Sequence, residues 1–440
     1  MRILSTDESM EEIRQVLNRR VLLTEEGDAG IGAQVQEILT QVRTEGDQAL
    51  LHFTSKFDGV ELSLKELRVR EEEFQKALTQ VEPEFLKALR TAKDNIWRFH
   101  QRQLPQSWMT FEDQGVILGQ RYQAIEAVGL YVPGGVGGTT PLVSTFLMNA
   151  IPALVAGVER LVVCTPPRKD RTVNPYLLAA VAELGIKEVY KVGGAQAIGA
   201  LAYGTPTINR VDKIVGPGNA YGTAAKRQVY GYVGIDTLAG PSEILIVADR
   251  TANPRWVAAD LLSQAEHGPR DEAGAILLTP ERQLVEQVAR EVEAQLPTLG
   301  RANIAQQSLE KSGALIVTAN LEEAIQLANF CAPEHLELYV NEPFSWLGKI
   351  RHAGAVFIGP YSPEPIGDYV AGTNHVLPTN GLARFASALS VDDFLKKSSL
   401  ISYTREGLAK NGPAAIRLAR VEGLEAHARS VEQRWEGKGE

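Results

Sequence analysis

From residue 124 to residue 358 the chain repeats one pattern, a short apolar run followed by a segment long enough for a helix. Ala124–Tyr131, Arg160–Cys164, Glu188–Val192 and Val211–Val215 form a first series of runs. Glu243–Val247, Ala275–Leu278, Ala314–Val317, Leu336–Val340 and Ala355–Ile358 form a second. Strands separated by helical crossovers predict parallel sheets, and runs this short and apolar fit strands buried on both faces. The chain is thus expected to be an α/β protein with two open sheets, one unit inserted within the sequence of the other. The division predicted is a helical segment over 1–23, a first α/β domain from 24–127 and 245–384, a second over 128–244, and a charged helical arm over 385–440.

Two flanking stretches read as amphipathic helix. Val35, Ile38, Leu39 and Val42 fall at i, i+3, i+4 and i+7, one face of a helix. The stretch 71–100 has the same texture, and Pro83 is expected to divide it into two helices. Ala127–Val158 carries no charge and is long enough for a bilayer. Its glycines and Pro133, Pro141 and Pro152 instead predict a strand, a glycine loop and a buried helix.

The 45 basic and 54 acidic side chains leave a formal charge of −9, and no long Lys/Arg block occurs. Nucleic-acid binding needs a basic surface to displace counterions, so that class is disfavoured, and small cationic or neutral substrates are favoured. Cys164 and Cys331, both in apolar surroundings, read as buried thiols of a reducing compartment. With no secretory signal at the N-terminus, a cytoplasmic protein is expected.

Three glycine-rich turns follow predicted strands, at 131–138, 192–199 and 215–222. Glycine lets a backbone approach a ligand closely, and the next helix N-terminus offers free amides to an anion. The turns suggest a nucleotide or phosphate site at the carboxyl ends of strands. None matches the Gly-x-Gly-x-x-Gly fingerprint, so the domains are Rossmann-like with incomplete dinucleotide-binding character. Ordinary strand-to-helix turns are an even alternative for any one of them.

Gln264-Ala-Glu-His267 ends a helix predicted over 254–267. Residues three apart share a helix face, and imidazole with an amide oxygen suits a borderline cation such as zinc. Alone, the pair fits a polar helix end better. In Ala332-Pro-Glu-His335, proline biases Ala332 toward extended backbone, and two adjacent bases fit a reaction with two proton transfers. A polar pair at a strand end is the plainer reading without context. Asp368 follows a glycine, and His375 lies in a Gly/Pro-rich loop where it can serve as a simple hydrogen-bonder. Glu422 and His427 lie in the terminal arm.

Tyr131-Val-Pro-Gly-Gly, Gly193-Gly-Ala-Gln-Ala-Ile, Val215-Gly-Pro-Gly-Asn, Ala239-Gly-Pro-Ser-Glu, Ser263-Gln-Ala-Glu-His, Ala332-Pro-Glu-His-Leu-Glu and Asn374-His-Val-Leu-Pro-Thr occur in this order. Together they resemble the histidinol dehydrogenase family over nearly the whole chain. The resemblance implies oxidation of L-histidinol to L-histidine through L-histidinal, the last step of histidine biosynthesis, with two NAD consumed and one zinc per subunit. It implies Gln264, His267, Asp368 and His427 as zinc ligands that also meet substrate, and Glu334 and His335 as the catalytic pair. Ser242, Glu422 and His335 would be further substrate contacts. Tyr131, Gln196 and Asn219 would contact NAD. It also implies a homodimer in which the arm carries Glu422 and His427 into the partner's site. One departure is Gly268, where family members often have Asp. Two other classes stay open on residues alone. One is a zinc hydrolase, which leaves the glycine turns unexplained. The other is a ligand-binding protein, which leaves the Glu334-His335 pair without a role.

Overall fold

The computed structural model describes residues 1–18, 29–135, 138–238, 240–267 and 273–436. The expected boundary at 23/24, Val136 and Gly137 of the first glycine turn, Ala239, and Gly268 lie outside the described residues.

Two parallel sheets form the body. The six-stranded sheet runs in the order β1 (Arg2–Ser5), β11 (Gly313–Val317), β10 (Gly274–Thr279), β9 (Glu243–Ala248), β12 (His335–Tyr339), β13 (Ala355–Ile358). The five-stranded sheet runs β6 (Glu188–Lys191), β5 (Arg160–Thr165), β4 (Ala127–Tyr131), β7 (Lys213–Val215), β8 (Gly234–Ile235). Every pair within these two sheets is parallel. All six residues of β9 are buried, as expected of a central strand covered by helices on both faces. Each fully buried Ile, Leu or Val there contributes about 1.5–3 kcal/mol.

The helix Ala29–Glu45 buries Val35, Ile38, Leu39 and Val42, the periodic positions, against Val162, Ile198 and Ala225 of the five-stranded unit. Pro83 sits in the first turn of Pro83–Gln101, where its missing N–H costs nothing, and the preceding helix, Glu71–Gln80, ends before it. The uncharged stretch becomes β4, a glycine loop and the buried helix Val143–Ala156. Among the described residues no helix is long and apolar enough to cross a membrane.

Four expectations need correction. The chain start is not only helical: β1 pairs with β11 and joins the six-stranded sheet. Residues 29–101 do not group with the 245–384 unit, because their helices pack on the five-stranded sheet. The run Ala124–Tyr131 is two strands. β3 (Val116–Ala124) ends at Ala124, and β4 begins at Ala127 in a different sheet. Residues 385–440 are not all helix. β14 (Leu395–Tyr403) pairs antiparallel with β3, which pairs with β2 (Trp108–Glu112), before the helices Arg405–Val421 and Glu425–Glu436. Aromatic and branched side chains in β2 and β14 face outward, with Phe111 80% and Ile401 71% exposed. No buried face therefore marks these strands by alternation.

Candidate active site

Glu334 and His335 stand at the amino-terminal edge of the six-stranded sheet, where β12 begins beside the start of β9. A right-handed crossover helix runs back along its strand. The helix after β9, Pro254–Ala265, accordingly delivers Gln264 and His267 to that same edge. The glycine turns lie at the opposite kind of edge, the carboxyl ends of β4, β6 and β7 in the other sheet. Pro333 does not leave Ala332 extended. Ala332 has φ 54° and ψ 60°, closing the helix Leu321–Cys331 through its N–H to Ala328. That left-handed turn swings Glu334 and His335 onto the sheet edge.

One residue, Glu243, holds both side chains through the two peptide groups that flank its Cα. The Glu243 N–H donates to Glu334 Oε2 at 3.0 Å, and the Glu243 carbonyl lies 2.9 Å from His335 Nδ1. A carbonyl only accepts, so Nδ1 carries the proton and Nε2 of the neutral ring keeps its lone pair. Nε2 is buried without a protein partner, 3.8 Å from Glu364 Oε1. Burial pushes the His335 pKa down to about 4, against the opposing charge of Asp368. The ring is therefore neutral at neutral pH, with an unshared pair on Nε2 but lowered basicity. Burial pushes the Glu334 carboxyl well above its ordinary range, opposed by the hydrogen bonds from the Glu243 amide and Ser242. A raised pKa makes its carboxylate a stronger base. Ser242 is placed by the preceding loop, where the Gly240 N–H donates to the Thr379 hydroxyl at 2.7 Å.

His335, Glu364 and Asp368 offer ligand atoms within 4.8 Å of one another. Gln264 is fully buried, and neither its Oε1 nor its Nε2 has a hydrogen-bond partner. An unmet buried amide costs about 1–3 kcal/mol, a cost that a cation taken by Oε1 would relieve. A carboxylate and an amide oxygen are donors that zinc accepts alongside imidazole. His267 is exposed two residues past the helix end at Ala265, next to residues outside the description. Asp368 lies in the short helix Glu364–Tyr369, and His375 Nδ1 meets the Asp368 carbonyl at 3.0 Å. His375 is thus the loop hydrogen-bonder, and it braces Asp368. The structure does not bring Glu422 or His427 to this group. Both are exposed on the arm.

Glu364 was missed by the sequence. It sits between Pro363 and Pro365, and its backbone N–H donates to Glu337 Oε1 at 2.8 Å. Burial, then the charge of Asp368, pushes its carboxyl up to about 9. A carboxyl raised above its unfolded value of 4.5 adds stability fully below that pH, and the contribution is lost as pH rises toward about 9. Chelator-treated protein should therefore melt at a lower temperature at about pH 9 than at about pH 7. Glu364→Gln should flatten that dependence; an unchanged slope in the variant would assign it to other groups.

At the glycine turns, the Gly194 N–H donates to the Tyr131 hydroxyl at 3.1 Å. Burial pushes that phenol up to about 12, so it stays a neutral donor. Gln196 is 1% exposed, and both of its amide atoms are buried without partners. Asn219 caps the helix Ala220–Val229, accepting from Tyr221 and Gly222. The three side chains therefore surround the first turns of two helices, Gly194–Tyr203 and Ala220–Val229, whose positive dipole ends favour an anion. The unmet Gln196 amide fits a polar ligand such as a dinucleotide.

A family model described as histidinol dehydrogenase matches residues 23–435. The histidinol dehydrogenase of Halalkalibacterium halodurans is 54% identical over 423 residues, covering 96% of this chain and 98% of that protein. That of Moorella thermoacetica is 53% identical over 425 residues, covering 97% and 98%. The crystal structure of histidinol dehydrogenase from Elizabethkingia anophelis matches with a TM-score of 0.92 at 40% identity, covering 99% of this chain and 98% of that one.

Proposed function

The chain belongs to the histidinol dehydrogenase family, and we propose that it performs both oxidations at the Glu334–His335 edge, with NAD as the hydride acceptor in each and one zinc per subunit. Gln264, His267 and Asp368 would hold the metal with His427 from the arm of a second copy. Ser242 and Glu422 would complete the substrate contacts, with His335 and the metal ligands also touching substrate. Tyr131, Gln196 and Asn219 would hold NAD. The observation that carries this reading is the buried, unpartnered Nε2 of a neutral His335 beside Glu334 and the Gln264–Asp368 donor set.

A bound zinc would supply positive charge and open positions for the imidazole and amine nitrogens of histidinol. His335 Nε2 accepts the alcohol proton as hydride leaves the carbinol carbon for the first NAD, giving the aldehyde. Glu334 takes a proton from water as the water oxygen adds to the aldehyde carbon, and the proton held on His335 Nε2 passes to the aldehyde oxygen, giving the hydrate and a neutral ring. His335 then accepts a hydroxyl proton as the hydrate yields hydride to the second NAD, giving the carboxylic acid, which ionises to the carboxylate. Burial of both bases excludes bulk water from the reactive aldehyde. The Nδ1–Glu243 hydrogen bond keeps the ring in the accepting tautomer throughout.

A dimer in which the arm is exchanged is supported by the apolar side chains left outward on one chain. Leu418 is 64% and Val421 68% exposed just before Glu422, and Phe111 and Ile401 are open on the three-stranded sheet. Single-chain surfaces of this kind mark interfaces.

The test is NAD reduction with histidinol, followed by near-ultraviolet absorbance, with and without a chelator. Chelation should lower the rate by roughly 100-fold or more, and zinc should restore it. Unaltered turnover after verified metal removal would overturn the metal assignment. Absence of NAD reduction in metal-loaded protein would overturn the whole reading.

A further inference from the structure

The loop after β7 is gripped by a buried ion pair that the reaction does not use. The side chains of Lys226, on the helix Ala220–Val229, and Asp236, just after β8, are each 3% exposed and paired. Lys226 Nζ donates to the Gly216 carbonyl at 3.0 Å, and the Gly216 N–H donates to Asp236 Oδ2 at 2.8 Å. The pair thus holds both polar groups of one residue. Gly216 has φ +123°, and a Cβ there would lie 2.1 Å from the Tyr131 carbonyl oxygen. Only glycine fits, and only in this register against β4. Three residues further on, Asn219 starts the helix that carries Lys226.

Burying two charges is expensive, and well-packed apolar residues commonly serve stability as well or better. Stability alone therefore gives a weak reason for this pair. We propose that Lys226 and Asp236 are positioning residues for the dinucleotide. They fix the Gly216–Asn219 loop against Tyr131, so that the loop amides and Asn219 are set before the ligand arrives. The inference rests on the reading of this loop as the NAD site. Pre-set geometry matters because displacement of a binding group by about 1 Å can cost on the order of 100-fold.

The double substitution Lys226→Met with Asp236→Leu removes both charges and both grips on Gly216. Expected are an NADH Kd, read by fluorescence titration, and a KM for NAD that both rise by about tenfold or more. The KM for histidinol and the zinc content should stay unchanged, and the unfolding midpoint should be equal or higher. A folded double variant that binds NADH like the parent overturns the proposal. If the double variant does not fold, Asp236→Asn carries the test. It keeps an oxygen for the Gly216 N–H but loses the charge facing Lys226, and it should weaken NADH binding by about threefold or more; unchanged binding overturns the proposal. Gln196→Leu separates this from the site assignment. Weaker NADH binding in Gln196→Leu with none in the pair variants defeats the positioning role alone. Unchanged binding in Gln196→Leu defeats the nucleotide reading beneath it.

Discussion

Glu334→Gln should lower overall turnover to histidine by about 10²–10⁴-fold, the range a positioned base contributes, while sparing the first oxidation. The amide keeps an oxygen to accept the Glu243 N–H, which Glu334 Oε2 accepts at 3.0 Å. The side chain is therefore expected to remain in place and to lose only its ability to take a proton from water. His335 and its Nδ1 hydrogen bond are untouched. In a single turnover the variant should form its first NADH at close to the parent rate and then stall with aldehyde bound. Supplied histidinal should be oxidised poorly. Equal loss of the two oxidations would refute the division of labour, because it would mean that Glu334 serves both steps or only the architecture.

The second large effect is a gain. Homodimers of Glu334→Gln or of His427→Asn should each be nearly inactive if the arm completes its partner's site. A hybrid dimer, however, combines an intact Glu334 body with an intact His427 arm at one of its two sites. Random exchange makes about half of the dimers hybrid, so an equal mixture should recover about a quarter of the parental activity. The arm geometry motivates the experiment. His427 is exposed, and so are the apolar Leu418, Val421 and Leu424 around it. No recovery after verified subunit exchange would place His427 in its own subunit's site or outside the chemistry.

The central strands and helices were legible because their residues are buried on a regular period. Val35, Ile38, Leu39 and Val42 are all core, and all of β9 is buried. β1 was not legible, since four residues at a sheet margin carry too little pattern. β2 and β14 were not legible because they keep apolar side chains outward. Local rules also misjudged Ala332. The bias from Pro333 toward extended backbone lost to the need to close the helix before it and turn into β12. At the site, Glu334, His335 and Gln264 announced themselves through adjacency or helix spacing. Glu364 did not, because its contacts come from Glu337 and Ser263, 27 and 101 residues away. Lys226 and Asp236 look like ordinary surface charges in sequence, and only the fold buries them together against Gly216.

The shared anchor at Glu243 has a mechanical consequence. If β9 slides against β12, the anchor points of the Glu334 and His335 side chains shift by one common vector, because the N–H and C=O that anchor them belong to the same residue. A substitution that shifts β9 as a body would therefore carry both anchors with it, and with them the pair whose Oε2 and Nδ1 stand 3.7 Å apart. The two anchors lie on either side of the Glu243 Cα, so a change in φ or ψ at residue 243 would turn one peptide plane relative to the other and re-aim one base alone.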